Sequence, residues 1–211
     1  MLSREGWLLL AFSAAVGFGI TQWLGVGYAL PAWLLAGLTV YLFRDPDRDV
    51  PSSALGVVAP VDGQVSSIES AQDPYLKRQA IRVSLSMDFW GVYTTRSPVE
   101  GYVIDRWFRI PSEAAGEPAL RFALWLQTDA KDDLVISIVK SSWINSPRCF
   151  VQTGERIGQG QRCGHIRFGN QIDLYLPECS RIFVKPGDRV KAGSDLIASL
   201  IHKQAPVVTA S

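Results

Sequence analysis

A compact, mainly β domain preceded by an N-terminal transmembrane helical hairpin is the architecture the sequence predicts, on three observations. From Gly6 to Phe43 no charged residue occurs. From Arg44 onward, short runs rich in branched and aromatic residues alternate with Gly, Pro, Asp and Ser clusters, and no long segment shows the 3.6-residue apolar period of a helix. With 211 residues and 47% hydrophobic content, the chain has room for one ordinary domain plus a short extra element.

The uncharged stretch is too long for one crossing, since a straight helix of that length would reach nearly twice the ~30 Å hydrocarbon thickness. It is expected to fold back where Gly25, Gly27 and Pro31 cluster, giving legs near residues 6–24 and 30–43 and a hairpin domain over 1–43. The second leg is short for a full crossing, so a tilted or re-entrant path stays open. Trp7, Trp23, Tyr28 and Tyr41 fall near leg ends, as an aromatic belt requires, and Arg4 and Arg44 then lie on one, cytoplasmic, side. A cleaved signal peptide is the alternative reading of Arg4 followed by an apolar run. A second apolar run follows at once, which favours the anchor.

In the second domain, 44–211, strands are expected near 57–65, 80–87, 120–127, 134–140, 163–168, 172–176 and 181–184, wrapped so that the sheet hides its edges. Two stretches share a theme of strands joined through tight Gly turns: Val58-Ala59-Pro60-Val61-Asp62-Gly63-Gln64-Val65, and Val184-Lys185-Pro186-Gly187-Asp188-Arg189-Val190-Lys191-Ala192-Gly193. They resemble halves of a barrel-sandwich hybrid.

The 21 basic and 20 acidic side chains nearly cancel, so no electrostatic footprint for nucleic acid is present. Cys149, Cys163 and Cys179 are odd in number and lack CxxC or His-linked spacing, which argues against both a disulfide framework and a metal site. Reduced thiols fit a cytoplasmic face. With His165 and His202 as the only histidines, a metal or triad mechanism has little raw material.

Five motifs in register carry a family resemblance. Phe43-Arg44-Asp45-Pro46 is followed by Ala59-Pro60-Val61-Asp62-Gly63, then by Phe89-Trp90-Gly91-Val92-Tyr93-Thr94-Thr95-Arg96-Ser97-Pro98-Val99-Glu100-Gly101. Gly164-His165-Ile166-Arg167-Phe168-Gly169-Asn170-Gln171-Ile172-Asp173-Leu174-Tyr175-Leu176-Pro177 comes next, and the turn from Val184 to Gly193 closes the set. In this order they resemble the FRDP, PxDG, FDVHVNRSPVSG and GxIRFGSRVDLYLP segments of short-form, pyruvoyl-dependent phosphatidylserine decarboxylases, over nearly the whole chain.

That resemblance implies a self-made cofactor. In the family a serine attacks the carbonyl of the preceding glycine, the amide becomes an ester, and β-elimination leaves a pyruvoyl group that serves as an electron sink for decarboxylation. Here the corresponding bond is Gly169–Asn170. A carboxamide has no hydroxyl for the acyl shift and no oxygen leaving group at Cβ, so no cofactor is expected. Other positions depart from the pattern, and Gly91 stands at the aspartate of the family's DVH triplet. Tyr93 stands at the family's histidine, and a phenol with an ordinary pKa near 10 is a poor proton shuttle at neutral pH. The family's Ala-Arg-Arg stretch falls near Ile144-Asn145-Ser146-Pro147-Arg148, which keeps one guanidinium.

Among the residues retained, Asp62 reads either as the family's processing acid or as a turn residue capping local N–H groups. Arg96 reads as a headgroup-gripping donor or as a surface ion pair, and Arg148 as the remaining headgroup contact. His165 lies an odd number of residues before Asn170, which on a regular strand puts the two on opposite faces, so it replaces the lost histidine only through a bulge. Trp90, Trp107, Trp125 and Trp143 either fill core or line a lipid-facing rim. The functional expectation is an inner-membrane homologue, its β domain facing the cytoplasm, that binds phospholipid or a partner without processing itself. A homo-oligomer or a complex with an active homologue is compatible with it. The alternative is a working decarboxylase, acting on phosphatidylserine or a related serine phospholipid through unconventional activation.

Overall fold

The computed structural model describes residues 4–42, 47–53, 55–88, 91–111, 120–139, 148–166 and 171–201. The chain forms two units, residues 1–47 with 90–93 and residues 48–89 with 94–211.

In the first unit, α1 (Arg4–Leu24) and α2 (Val26–Leu42) fold against each other. The reversal rests on Gly25 alone, at φ 95°, a conformation that costs an L-residue about 1–2 kcal/mol and glycine little. Pro31 sits inside α2, forfeiting one backbone bond, so the expected legs of 6–24 and 30–43 are corrected to these longer bounds. The helices approach closely: Trp33 Nε1 donates to Thr21 Oγ1 at 3.4 Å, and a Cβ on Gly17 would lie 3.4 Å from the Trp33 ring.

The hairpin is therefore helical, but the transmembrane reading needs correction: among the described residues no helix is long and apolar enough to cross a membrane. At 17 residues and 1.5 Å per residue, α2 reaches about 26 Å against ~30 Å of hydrocarbon. Helix α1 opens on Arg4-Glu5 and closes through Thr21 and Gln22. The outward side chains are nonetheless apolar, with Trp23 89%, Leu34 73% and Phe12 71% exposed.

The second unit is mainly β. In chain order its strands are β1 (Gly56–Val58), β2 (Gly63–Asp73), β3 (Arg78–Met87), β4 (Thr94–Arg96), β5 (Gly101–Pro111), β6 (Leu120–Gln127) and β7 (Asp133–Val139). They continue with β8 (Arg148–Cys149), β9 (Arg156–Ile157), β10 (Arg162–His165), β11 (Gln171–Pro177), β12 (Arg181–Ile182), β13 (Arg189–Val190) and β14 (Leu196–Ser199). Among the described residues they make one eight-stranded sheet, β13-β2-β3-β11-β7-β6-β5-β9, and two three-stranded sheets, β1-β14-β12 and β4-β10-β8.

Register explains the core. Leu85, Ile172, Ile138 and Phe122 stand opposite one another across four strands, as do Val83, Leu174, Ile136 and Leu124 one step along, and all eight are buried. Each such side chain withdrawn from water contributes roughly 1.5–3 kcal/mol. The intervening residues point to the other face, where Trp107 and Trp125 stack at 6.2 Å and pack with Tyr75 over Ala80, Ala123, Val135 and Tyr175. These two tryptophans are packing residues; Trp90 and Trp143 lie outside the described residues.

The large sheet does not close on itself among the described residues. It ends in the two-residue strands β13 and β9, and short edges are one way to blunt an exposed ladder. The two Gly-turn stretches singled out in the sequence do meet, through Arg189↔Gln64 and Val190↔Gly63.

Candidate functional site

Three turns knot together around Asp62 and Arg96. Asp62 Oδ1 accepts the Ala192 amide at 2.7 Å, and Oδ2 accepts Arg48 at 2.8 Å. The Arg96 amide donates to Pro60 O at 2.8 Å, the Gly193 amide to Ala59 O at 2.8 Å, and the Gly160 amide to Ser97 O at 2.8 Å. Arg96 is buried rather than at the surface, and its guanidinium donates to Gly160 O at 3.0 Å. Gly193 is at φ 73°, and a Cβ there would lie 2.7 Å from Arg96 Cδ, so the backbone is packed directly onto the arginine stem.

Strand β10 forms the next layer. At one end Arg162 faces Arg96 of β4, and at the other His165 faces both Thr94 of β4 and Arg148 of β8. Arg96 and Arg148 thus occupy opposite flanking strands and opposite ends of β10, separated by roughly 10 Å along and roughly 10 Å across. The register does not bring the two expected headgroup arginines together. His165 is buried on the central strand. Between this small sheet and the large one lies a cavity of about 20 Å³, lined by Thr95, Phe122, Ile138, Arg148, Cys149 and Cys163 among others. It suits a single water rather than a headgroup. Thr95 Oγ1 is buried there without a hydrogen-bond partner among the described residues, while Cys163 donates to Thr95 O at 3.4 Å. Burial pushes both thiols, Cys149 and Cys163, above the ordinary cysteine range, so neither is a thiolate at neutral pH. All three cysteines are free.

Tyr93 is buried, and burial raises its phenol above the usual value, which keeps it protonated at neutral pH. Asp173 is buried on β11, accepting Ser84 Oγ at 2.8 Å and Gln171 Nε2 at 3.0 Å. Gly169 and Asn170 lie outside the described residues, as does the whole of the Phe43-Arg44-Asp45-Pro46 element. In sequence, residues 167–170 join β10 of the small sheet to β11 of the large one. Arg48, the Ala192 amide and Thr95 were not singled out from sequence. Nothing in a linear pattern pairs Arg48 with a carboxylate fourteen residues on, or Asp62 with an amide far downstream.

The family described as phosphatidylserine decarboxylase matches residues 35–198. A phosphatidylserine decarboxylase proenzyme of Aromatoleum aromaticum is 39% identical over 206 residues, covering 95% of this chain and 96% of the relative. Proenzymes of the same name from Nitrosomonas europaea and Burkholderia mallei are each 36% identical, over 94% and 95% of this chain. No solved structure matches.

Proposed function

Since the chain belongs to the phosphatidylserine decarboxylase family, we propose that it serves phospholipid metabolism as a membrane-associated homologue that binds a lipid or a partner without forming the family's pyruvoyl group. The observation that carries this reading is the residue at position 170. The residues present do not fit the cofactor, because a side-chain amide offers neither the nucleophilic oxygen nor the leaving group that the backbone rearrangement needs. Tyr93 compounds the loss. A buried phenol held protonated is a hydrogen-bond donor at neutral pH and not a base.

Membrane association is supported by the hairpin's outward apolar side chains and by the uncharged run that Arg4 and Arg44 bracket. A re-entrant or in-plane hairpin at the inner membrane, with the β unit on the cytoplasmic side, is consistent with helices too short or too polar to cross.

A second reading, a working decarboxylase with unconventional activation, draws on the identity to named proenzymes along the chain and on His165, held buried within β10. Mass spectrometry of the purified full chain separates the two. The leading reading expects one polypeptide of 23.2 kDa and no ethanolamine lipid from supplied phosphatidylserine. A fragment beginning at residue 170 with a ketone-blocked terminus, or turnover of the lipid, would establish the second.

A further inference from the structure

Two exposed phenylalanines and two arginines lie on neighbouring segments of the β unit, β5 and the stretch of β8 with the residue that follows it. Phe108 on β5 is 58% exposed and Phe150, just after β8, is 59% exposed. Arg106 links the two segments: its guanidinium donates to Val151 O at 2.7 Å, lies 5.6 Å from the Phe108 ring centre and sits beside Cys149. Phe108 packs edge-on against Phe122 at 5.0 Å, and Phe122 shares the inter-sheet cavity with Arg148, which is itself exposed. The nearby carboxylate, Glu155, accepts the Gln152 amide at 2.8 Å.

Among the described residues, two other aromatic side chains of the β unit lie beneath arginines. Tyr102 lies under Arg156, whose charge is matched by Glu100 at 3.0 Å and Asp129 at 2.8 Å. Phe183 stands under Arg181 as a single exposed ring. Among the described residues of the β unit, only the Phe108 and Phe150 segments combine two exposed rings with two guanidiniums. Apolar rings flanked by cations fit the headgroup–acyl boundary of an anionic bilayer, which buries the rings and supplies phosphates for the arginines.

We propose that these segments form a rim that makes a second membrane contact, independent of the helical hairpin: Phe108 and Phe150 enter the interface of an anionic bilayer while Arg106 and Arg148 pair with lipid phosphates. The inference rests on the membrane reading above for its choice of a bilayer. It goes beyond it by assigning the β unit its own docking surface. Such a contact would face the cavity-lining strands β4, β8 and β10 toward the lipid.

The test uses the full chain in phosphatidylcholine vesicles containing phosphatidylglycerol, part of it carrying a photoactivatable group near the head of the acyl chain. Adducts are mapped residue by residue by mass spectrometry. The expected result is labelling at 106–108 and 148–151 well above that at Phe183. In the Phe108→Ser, Phe150→Ser double variant, rim labelling should fall roughly tenfold while hairpin labelling persists. Arg148→Glu, which leaves both rings, should lower rim labelling in the anionic vesicles and leave it unchanged in vesicles of phosphatidylcholine alone, where the probe is a photoactivatable phosphatidylcholine. Rim labelling no greater than at Phe183, or cross-links from the rim to a second copy in place of lipid, would overturn the proposal. Rim adducts without hairpin adducts would uphold it and overturn hairpin anchoring instead.

Discussion

Asp62 has both carboxylate oxygens engaged inside the fold, one on the Ala192 amide and one on Arg48, in a pair whose side chains are 13% and 17% exposed. Removing the group leaves a largely buried guanidinium and an amide without their acceptor, which costs about 2–4 kcal/mol. Asp62→Ala is therefore expected to lower the denaturation midpoint markedly. Asp62→Asn, which keeps an acceptor for Ala192, should cost roughly half as much. Chemical denaturation of the three proteins checks the order; equal stabilities would show that the knot of turns does not depend on this carboxylate. From sequence, Asp62 was open between turn and processing roles because one Asp-Gly pair suits both. What sequence lacked was the partner: the Ala192 amide is far downstream, and backbone amides carry no side-chain signature.

At the scale of elements, strands that alternate cleanly were legible and bulged ones were not. Strand β6 spans the expected residues 120–127, and β3, β7 and β11 lie within two residues of expectation at each end. The long strand β5 has no counterpart among the expected strands. Its register slips between Val103 and Asp105 and again between Phe108 and Ile110, and each bulge reverses which side chains face the core, erasing the period of two. Most of β2 escaped notice for the same reason, with a slip between Val65 and Ser67 and a polar sequence beyond it. Close backbone approach is equally invisible in a string of letters. A Cβ on Gly101 would lie 2.2 Å from Gln127 O, a backbone atom that cannot swing aside, whereas Gly187 at φ 98° has nothing within 4 Å. Gly101→Ala should thus destabilise by about 3 kcal/mol through forced separation of β5 and β6. Gly187→Ala should cost about 1 kcal/mol, from backbone conformation alone. Thermal melts of the two variants, compared with the parent, test the ranking.

For the whole molecule, the question is whether the scaffold would process itself if the missing chemistry were returned. The family resemblance and the matched span of residues 35–198 say that the fold is of the right kind. In sequence, position 170 lies between β10, which ends at His165, and β11, which begins at Gln171 and pairs with β3 and β7. On the proposed reading, in which Tyr93 stands at the family's histidine position, Asn170→Ser alone restores a nucleophile but no proton acceptor, since burial raises the Tyr93 phenol. General acid–base assistance is worth about 10²–10⁴ in rate, so the single variant should remain almost entirely intact over hours while the Tyr93→His, Asn170→Ser pair cleaves at least about a hundredfold faster. Fragment release on a gel, with the new terminus identified by mass spectrometry, gives the readout. Circular dichroism of the double variant confirms that a buried imidazole has not unfolded the β unit. Rapid cleavage of Asn170→Ser by itself would mean that His165, or another base in the knot of turns, already supplies the proton transfer, and that a single carboxamide separates this chain from an active decarboxylase.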